Sequence, residues 1–127
     1  MKKYATLFTL AAMMVVFCGL SLYAADISGT WFGTTEVPDY GEDELTLVLK
    51  KTESGYEGTF SDSAGMADNA ELKDIVYEGN KLTFNFEIYN GMEYMTVSCS
   101  LEVKDDTMTG YWETGEGASG SIEMTKK

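Results

Sequence analysis

Twenty-one carboxylates, nine lysines and no histidine or arginine make up the ionisable chemistry of this 127-residue chain. Without imidazole there is no Ser-His-Asp or Cys-His pair, and no such ligand for zinc or copper. Two carboxylates acting as acid and base, as in glycoside hydrolysis, are chemically available. Acids this abundant single out no pair, however. A lysine base or nucleophile has to be desolvated, and the lysines fall at turns, on strand exteriors or at the ends. The expectation is a non-enzyme with no catalytic residue and no cofactor. Two acidic runs offer oxygens for calcium: Asp39-Tyr40-Gly41-Glu42-Asp43-Glu44, and Asp68 with Asn69, Glu71 and Asp74. Calcium takes about six to eight oxygens from a flexible loop. Neither run has EF-hand spacing, so solvated loops and no metal site are expected.

Binding chemistry has better candidates. The hydroxyls of Tyr56 and Tyr77, the carboxyl of Glu93 and the rings of Trp31 and Trp112 are polar or aromatic groups on otherwise apolar strand faces. Together they are the ligand-contact set the sequence offers. Glu93 also has a plainer role as a solvated residue beside a turn. Tyr89, Tyr94 and Tyr111 fall on the opposite face, with Tyr40 in an acidic loop. Outward rings there can meet a partner, or simply reflect strand propensity. Cys99 lies mid-strand between large apolar residues, where a thiol behaves as a small hydrophobe. With Cys18 in the leader described below, Cys99 has no partner for an intramolecular disulfide.

The elements that position these groups follow from alternation. Leu82, Phe84, Phe86 and Ile88 alternate with polar residues, as do Met95, Val97, Cys99, Leu101 and Val103. Asn90-Gly91 between them is a strong hairpin signal, because both residues tolerate positive φ. A two-residue turn there pairs Phe86 with Met95, Phe84 with Val97 and Leu82 with Cys99, and sets Glu93 inward opposite Ile88. Gly79-Asn80 as a turn pairs Tyr77 with Leu82 and Ile75 with Phe84. Asp105-Asp106 as a turn pairs Val103 with Met108, Leu101 with Gly110 and Cys99 with Trp112. Leu45, Leu47 and Leu49 fold back on Tyr56, Gly58 and Phe60, with Phe60 opposite Leu45 and Gly58 opposite Leu47. An opening strand around Ile27 to Glu36 and a last one at Ile122 and Met124 bring the count to eight. Eight antiparallel strands in up-and-down order can close a barrel and remove its edges. A two-sheet sandwich shares the same alternation and stays as the alternative. Interiors of eight-stranded barrels are barely wide enough for their own side chains, so the large inward residues imply a solid core.

Met1-Lys2-Lys3, an apolar run from about Ala5 to Leu22 and small residues at Ala24-Ala25 read as a secretory signal peptide over 1–25. Residues 26–127 then form one domain. An uncleaved membrane anchor and a lipid attached through Cys18 are the rivals. The cleaved chain is expected to be periplasmic or secreted, with no membrane contact. The formal charge is −12, more negative still once Lys2 and Lys3 depart. Such a surface repels phosphate backbones and anionic lipid heads, which argues against nucleic acid.

Ile27-Ser28-Gly29-Thr30-Trp31 and Gly55-Tyr56-Glu57-Gly58-Thr59-Phe60 resemble the opening motifs of calycin barrels, the lipocalin and avidin superfamily, and of small exported bacterial lipocalin-like domains. The resemblance implies an eight-stranded barrel. Lipocalins pack an arginine across the first tryptophan, and this chain has none. Avidin-like biotin sites use several tryptophans, whereas only Trp31 and Trp112 exist here, so biotin binding is not implied. The expected function is an exported binding module for a small apolar molecule or a protein partner. The alternative is a structural or interaction module with a solid core.

Overall fold

Nine antiparallel strands form one sheet in the computed structural model, which describes residues 25–89 and 91–127. The strands are β1 (Gly29–Val37), β2 (Gly41–Thr52), β3 (Gly55–Asp62), β4 (Ala70–Glu71), β5 (Lys73–Glu78), β6 (Lys81–Tyr89), β7 (Tyr94–Lys104), β8 (Thr107–Thr114) and β9 (Ser119–Lys126). The expected signal peptide lies outside the described residues except for Ala25. Among the described residues there is no helix.

The sheet order is β4-β3-β2-β1-β9-β8-β7-β6-β5, so the first and last long strands pair and the sheet curls into a nearly closed barrel. The expected count of eight becomes nine because one strand is broken. Between β4, which pairs with β3, and β5, which pairs with β6, stands only Leu72. Its N–H still donates to Gly58 O at 3.0 Å. Past it, Asp74 takes φ 52° and the β5–β6 register slips, so Lys73 faces Asn85 while Val76 faces Thr83. This bulge re-aims the chain from β3 to β6, and the expected Ile75–Phe84 pair does not form as a simple rung.

Two other registers differ from expectation, each by two residues. Phe84 pairs with Cys99, Leu82 with Leu101 and Tyr89 with Tyr94. The β6–β7 connection therefore spans residues 90–93 rather than a two-residue Asn-Gly turn. Likewise Phe60 pairs with Leu47 and Gly58 with Leu49, around a two-residue turn at Glu53-Ser54. A slip of two leaves every side chain on its face, so alternation cannot detect it. The Gly79-Asn80 and Asp105-Asp106 turns hold the expected partners, including Tyr77–Leu82, Val103–Met108 and Cys99–Trp112.

Curling needs close backbone approach at the inward glycines. A Cβ on Gly110 would collide with the Ser100 carbonyl oxygen, and one on Gly58 with that of Val48. The alternating residues of all the long strands then meet in one core, from Trp31 and Leu47 to Met108 and Met124. Cys99 is part of that core, and burial pushes its thiol up to about 12, which leaves no reactive thiolate.

Candidate ligand-binding site

The two ends of the barrel are built differently. At the end carrying the Glu53-Ser54, Gly79-Asn80 and Asp105-Asp106 turns, the segment before β1 folds inward as a plug. Ile27 is 1% exposed. Its carbonyl accepts the Trp31 Nε1–H at 3.0 Å, and its N–H donates to the Tyr56 hydroxyl at 3.3 Å. That hydroxyl donates in turn to Asp26 Oδ1 at 3.2 Å. Tyr56 and Tyr77 meet edge to face with ring centroids 5.9 Å apart. Partial burial raises both phenol pKa values. Lys126 Nζ stands 5.8 Å from the Trp31 ring centroid, within cation–π range.

At the opposite end the core stops short. A cavity of about 330 Å³ opens there, beneath the β1–β2 connection, the segment between β3 and β4, and the β8–β9 connection. Its walls are mainly apolar. Leu45 and Phe60 come from β2 and β3, Phe86 and Ile88 from β6, and Met95 and Val97 from β7. Phe60 stacks on Phe86 with centroids 4.4 Å apart. Trp112 of β8 closes one side, with its Nε1–H donated to Thr35 Oγ1 at 2.9 Å. The Thr35 hydroxyl in turn donates to the Ser121 carbonyl at 2.5 Å.

Two carboxyl groups enter this apolar wall. Asp43 of β2 is 2% exposed, and Asp62 of β3 is half-buried. They follow directly from alternation: Asp43 shares the inward face of Leu45, and Asp62 that of Phe60. Asp43 Oδ1 accepts from Ser63 Oγ at 2.9 Å and from the Ala64 N–H at 3.0 Å. Asp62 Oδ1 accepts from the Ala67 N–H at 2.8 Å. Burial, and then the hydrogen bond with Asp43 and its charge, push the Asp62 carboxyl up to about 6. Hydrogen bonding to both carboxyl groups thus straps residues 63–67 over the cavity, and the strap's Met66 carbonyl accepts the Tyr89 N–H at 3.4 Å. Asp39 and Glu116 also border the cavity, and among the described residues no lysine does.

Of the five residues singled out in the sequence, Trp112 alone lines the cavity. Trp31, Tyr56 and Tyr77 gather at the plugged end, and Glu93 sits exposed in the 90–93 connection. With Ile88 paired to Met95, β7 begins at Tyr94, so Glu93 falls in the connection rather than on the inner strand face where the sequence set it. The cavity also corrects the expected solid core at one end. Asp43 and Asp62 were missed because polar residues at strand ends read as loop, and Thr35 because a threonine inside the opening strand carries no signal of its own. Asp43 belongs to the first acidic run, but its side chain leaves that run for the interior. Among the described residues no three metal-ligating side chains gather as a metal site.

No family model and no curated protein matches the sequence. Among solved structures, a designed protein described as a fluorescence-activating β-barrel is similar at 18% identity and a TM-score of 0.56. The match covers 80% of this chain and 94% of that one. At that identity the likeness establishes the barrel fold alone.

Proposed function

We propose that this chain is an exported, non-enzymatic binding module that holds a small, largely apolar molecule at the unplugged end of its barrel. The observation that carries this reading is the cavity: about 330 Å³, apolar-walled, with a few converging polar groups. Those are the features of small-molecule sites, including the mouths of β-barrels. The fold is similar to a barrel whose description says that it activates fluorescence, which is in keeping with a binding role. A lipocalin-like barrel is the finer reading, supported by the Gly29-Thr30-Trp31 opening and by Lys126, a cation over the ring of Trp31. Export is supported by the basic start and apolar run of residues 1–25. A non-catalytic role is supported by the lack of histidine and arginine in the whole sequence.

Titration with the neutral, environment-sensitive dye N-phenyl-1-naphthylamine tests this. Saturable fluorescence enhancement near one dye per chain is expected. Ala67→Leu, which pushes a larger side chain into the cavity from the strap, should weaken it by about tenfold, or about 1.4 kcal/mol. A non-saturating rise, or an affinity unmoved by Ala67→Leu, overturns the proposal.

A further inference from the structure

The acid pair is the feature of the cavity that an apolar ligand alone leaves unexplained. Fourteen of the eighteen residues around the cavity carry no charge; the other four are all acids, Asp39, Asp43, Asp62 and Glu116. A buried carboxylate is costly unless it is paired with a cation or fully hydrogen-bonded. Asp43 and Asp62 lie beside each other and accept from backbone and hydroxyl donors of the strap, and among the described residues no lysine lines the cavity with them. A carboxylate has about four lone-pair sites, so each keeps capacity for a further donor. Both carboxyl groups line the cavity, from which such a donor can reach them.

We propose that the molecule this cavity takes is an apolar amine, with its ammonium group against the Asp43–Asp62 pair and its hydrocarbon body among Phe60, Phe86 and Trp112. The inference rests on the small-molecule reading above and adds its chemical class. An ammonium is a compact donor with three N–H groups and no acceptor, the complement of two acceptor-rich carboxyls in one wall. Below about pH 6 a proton on the Asp62 carboxyl limits the repulsion between the two groups. Above that pH a bound ammonium supplies the countercharge that the wall lacks. Asp39 and Glu116 at the border, together with a chain charge of −12, attract cations and repel anions before contact is made. Carboxylic acids and phosphates of the same size meet only like charge. A neutral alcohol of the same shape keeps the apolar contacts and can donate one hydrogen bond, but brings no countercharge.

Three probes of one shape separate these cases: 1-naphthylmethylamine, 1-naphthalenemethanol and 1-naphthoic acid, each titrated at pH 7.5 by displacement of N-phenyl-1-naphthylamine and directly by calorimetry. The amine should bind about tenfold or more tighter than the alcohol, the scale expected of one desolvated charge pair, and the acid weakest. Asp62→Asn should remove most of the amine's advantage and leave the alcohol within about twofold, with circular dichroism confirming the fold. The wild-type comparison stands even if the variant does not fold. Equal binding of amine and alcohol overturns the amine assignment and leaves the small-molecule reading intact. Tighter binding of the acid than the amine also overturns it. If neither the dye nor any of the three probes binds, both readings fail.

Discussion

The plugged end and the open end of the barrel are made from the same strands, yet they handle polar groups in opposite ways. At the plugged end, one short segment matches its polar atoms to side chains already present. The Trp31 indole and the Tyr56 hydroxyl bracket the backbone of Ile27, and apolar bulk fills what is left. At the open end, carboxyls stand in an apolar wall, the strap draws on them, and about 330 Å³ stays unfilled. The first arrangement suits stability, and the second suits exchange of an occupant. Departures from locally consistent folding tend to collect at functional sites, and the carboxyls set in an apolar wall are all at the open end.

Truncation at the two ends should therefore differ most. Trp31→Ala removes a ring that is 1% exposed and releases the Ile27 carbonyl. Its expected cost is about 3–5 kcal/mol, read as a fall in the urea midpoint at unchanged slope. The slope check matters because a change there would signal an altered unfolded or native ensemble rather than a lost contact.

Met95→Ala at the open end should cost only about 1 kcal/mol. Met95 is half-buried and borders space that is already empty, so fewer contacts are lost and little new cavity is created. If Met95→Ala costs as much as Trp31→Ala, the open end is packed as tightly as the plug and the contrast collapses.

How much of this was readable from sequence follows the same division. Alternation placed Trp31, Leu82, Phe84, Cys99, Met108 and Ile122 inward, and all are buried. It did so even where the β2–β3 and β6–β7 registers were two residues off, since parity survives such a slip. Extending the alternation one step past Leu45 and Phe60 would have reached Asp43 and Asp62. Their charge argued for solvent and hid them. The break at Leu72–Asp74 depends on positive φ at an aspartate, a conformation that Asp adopts without announcing it. Ile27 was placed in a strand, whereas φ 127° at Gly29 lets the chain turn before β1 and deliver it as the plug. The cavity was out of reach of pattern alone, because it depends on how far side chains from six strands and three connections extend towards one end.

The smallest effect separates the ends by pH rather than by size. Asp62 has a carboxyl pushed up to about 6 by burial and by Asp43, against an ordinary value of about 4 when unfolded. Between those values the native state holds the proton more tightly than the unfolded chain. The group's contribution to stability is therefore fully present below about pH 4 and is lost as pH rises through 6. Asp62→Asn keeps an oxygen for the Ala67 N–H and offers Asp43 a permanent donor, without the charge. Against wild type it should gain about 0.5–1 kcal/mol at pH 7.5. This is well under the full value of a two-unit shift, because Asp62 is half-exposed and screened. The gain should shrink towards its minimum near pH 4, and taking the difference between the two proteins cancels the titration of the carboxylates common to both. Tyr56→Phe at the plugged end carries no such group, so its difference from wild type should stay flat from pH 5 to 8. A flat Asp62→Asn difference would mean that the acid pair is as fully satisfied as the plug, and that the open end keeps no charge in reserve for an occupant.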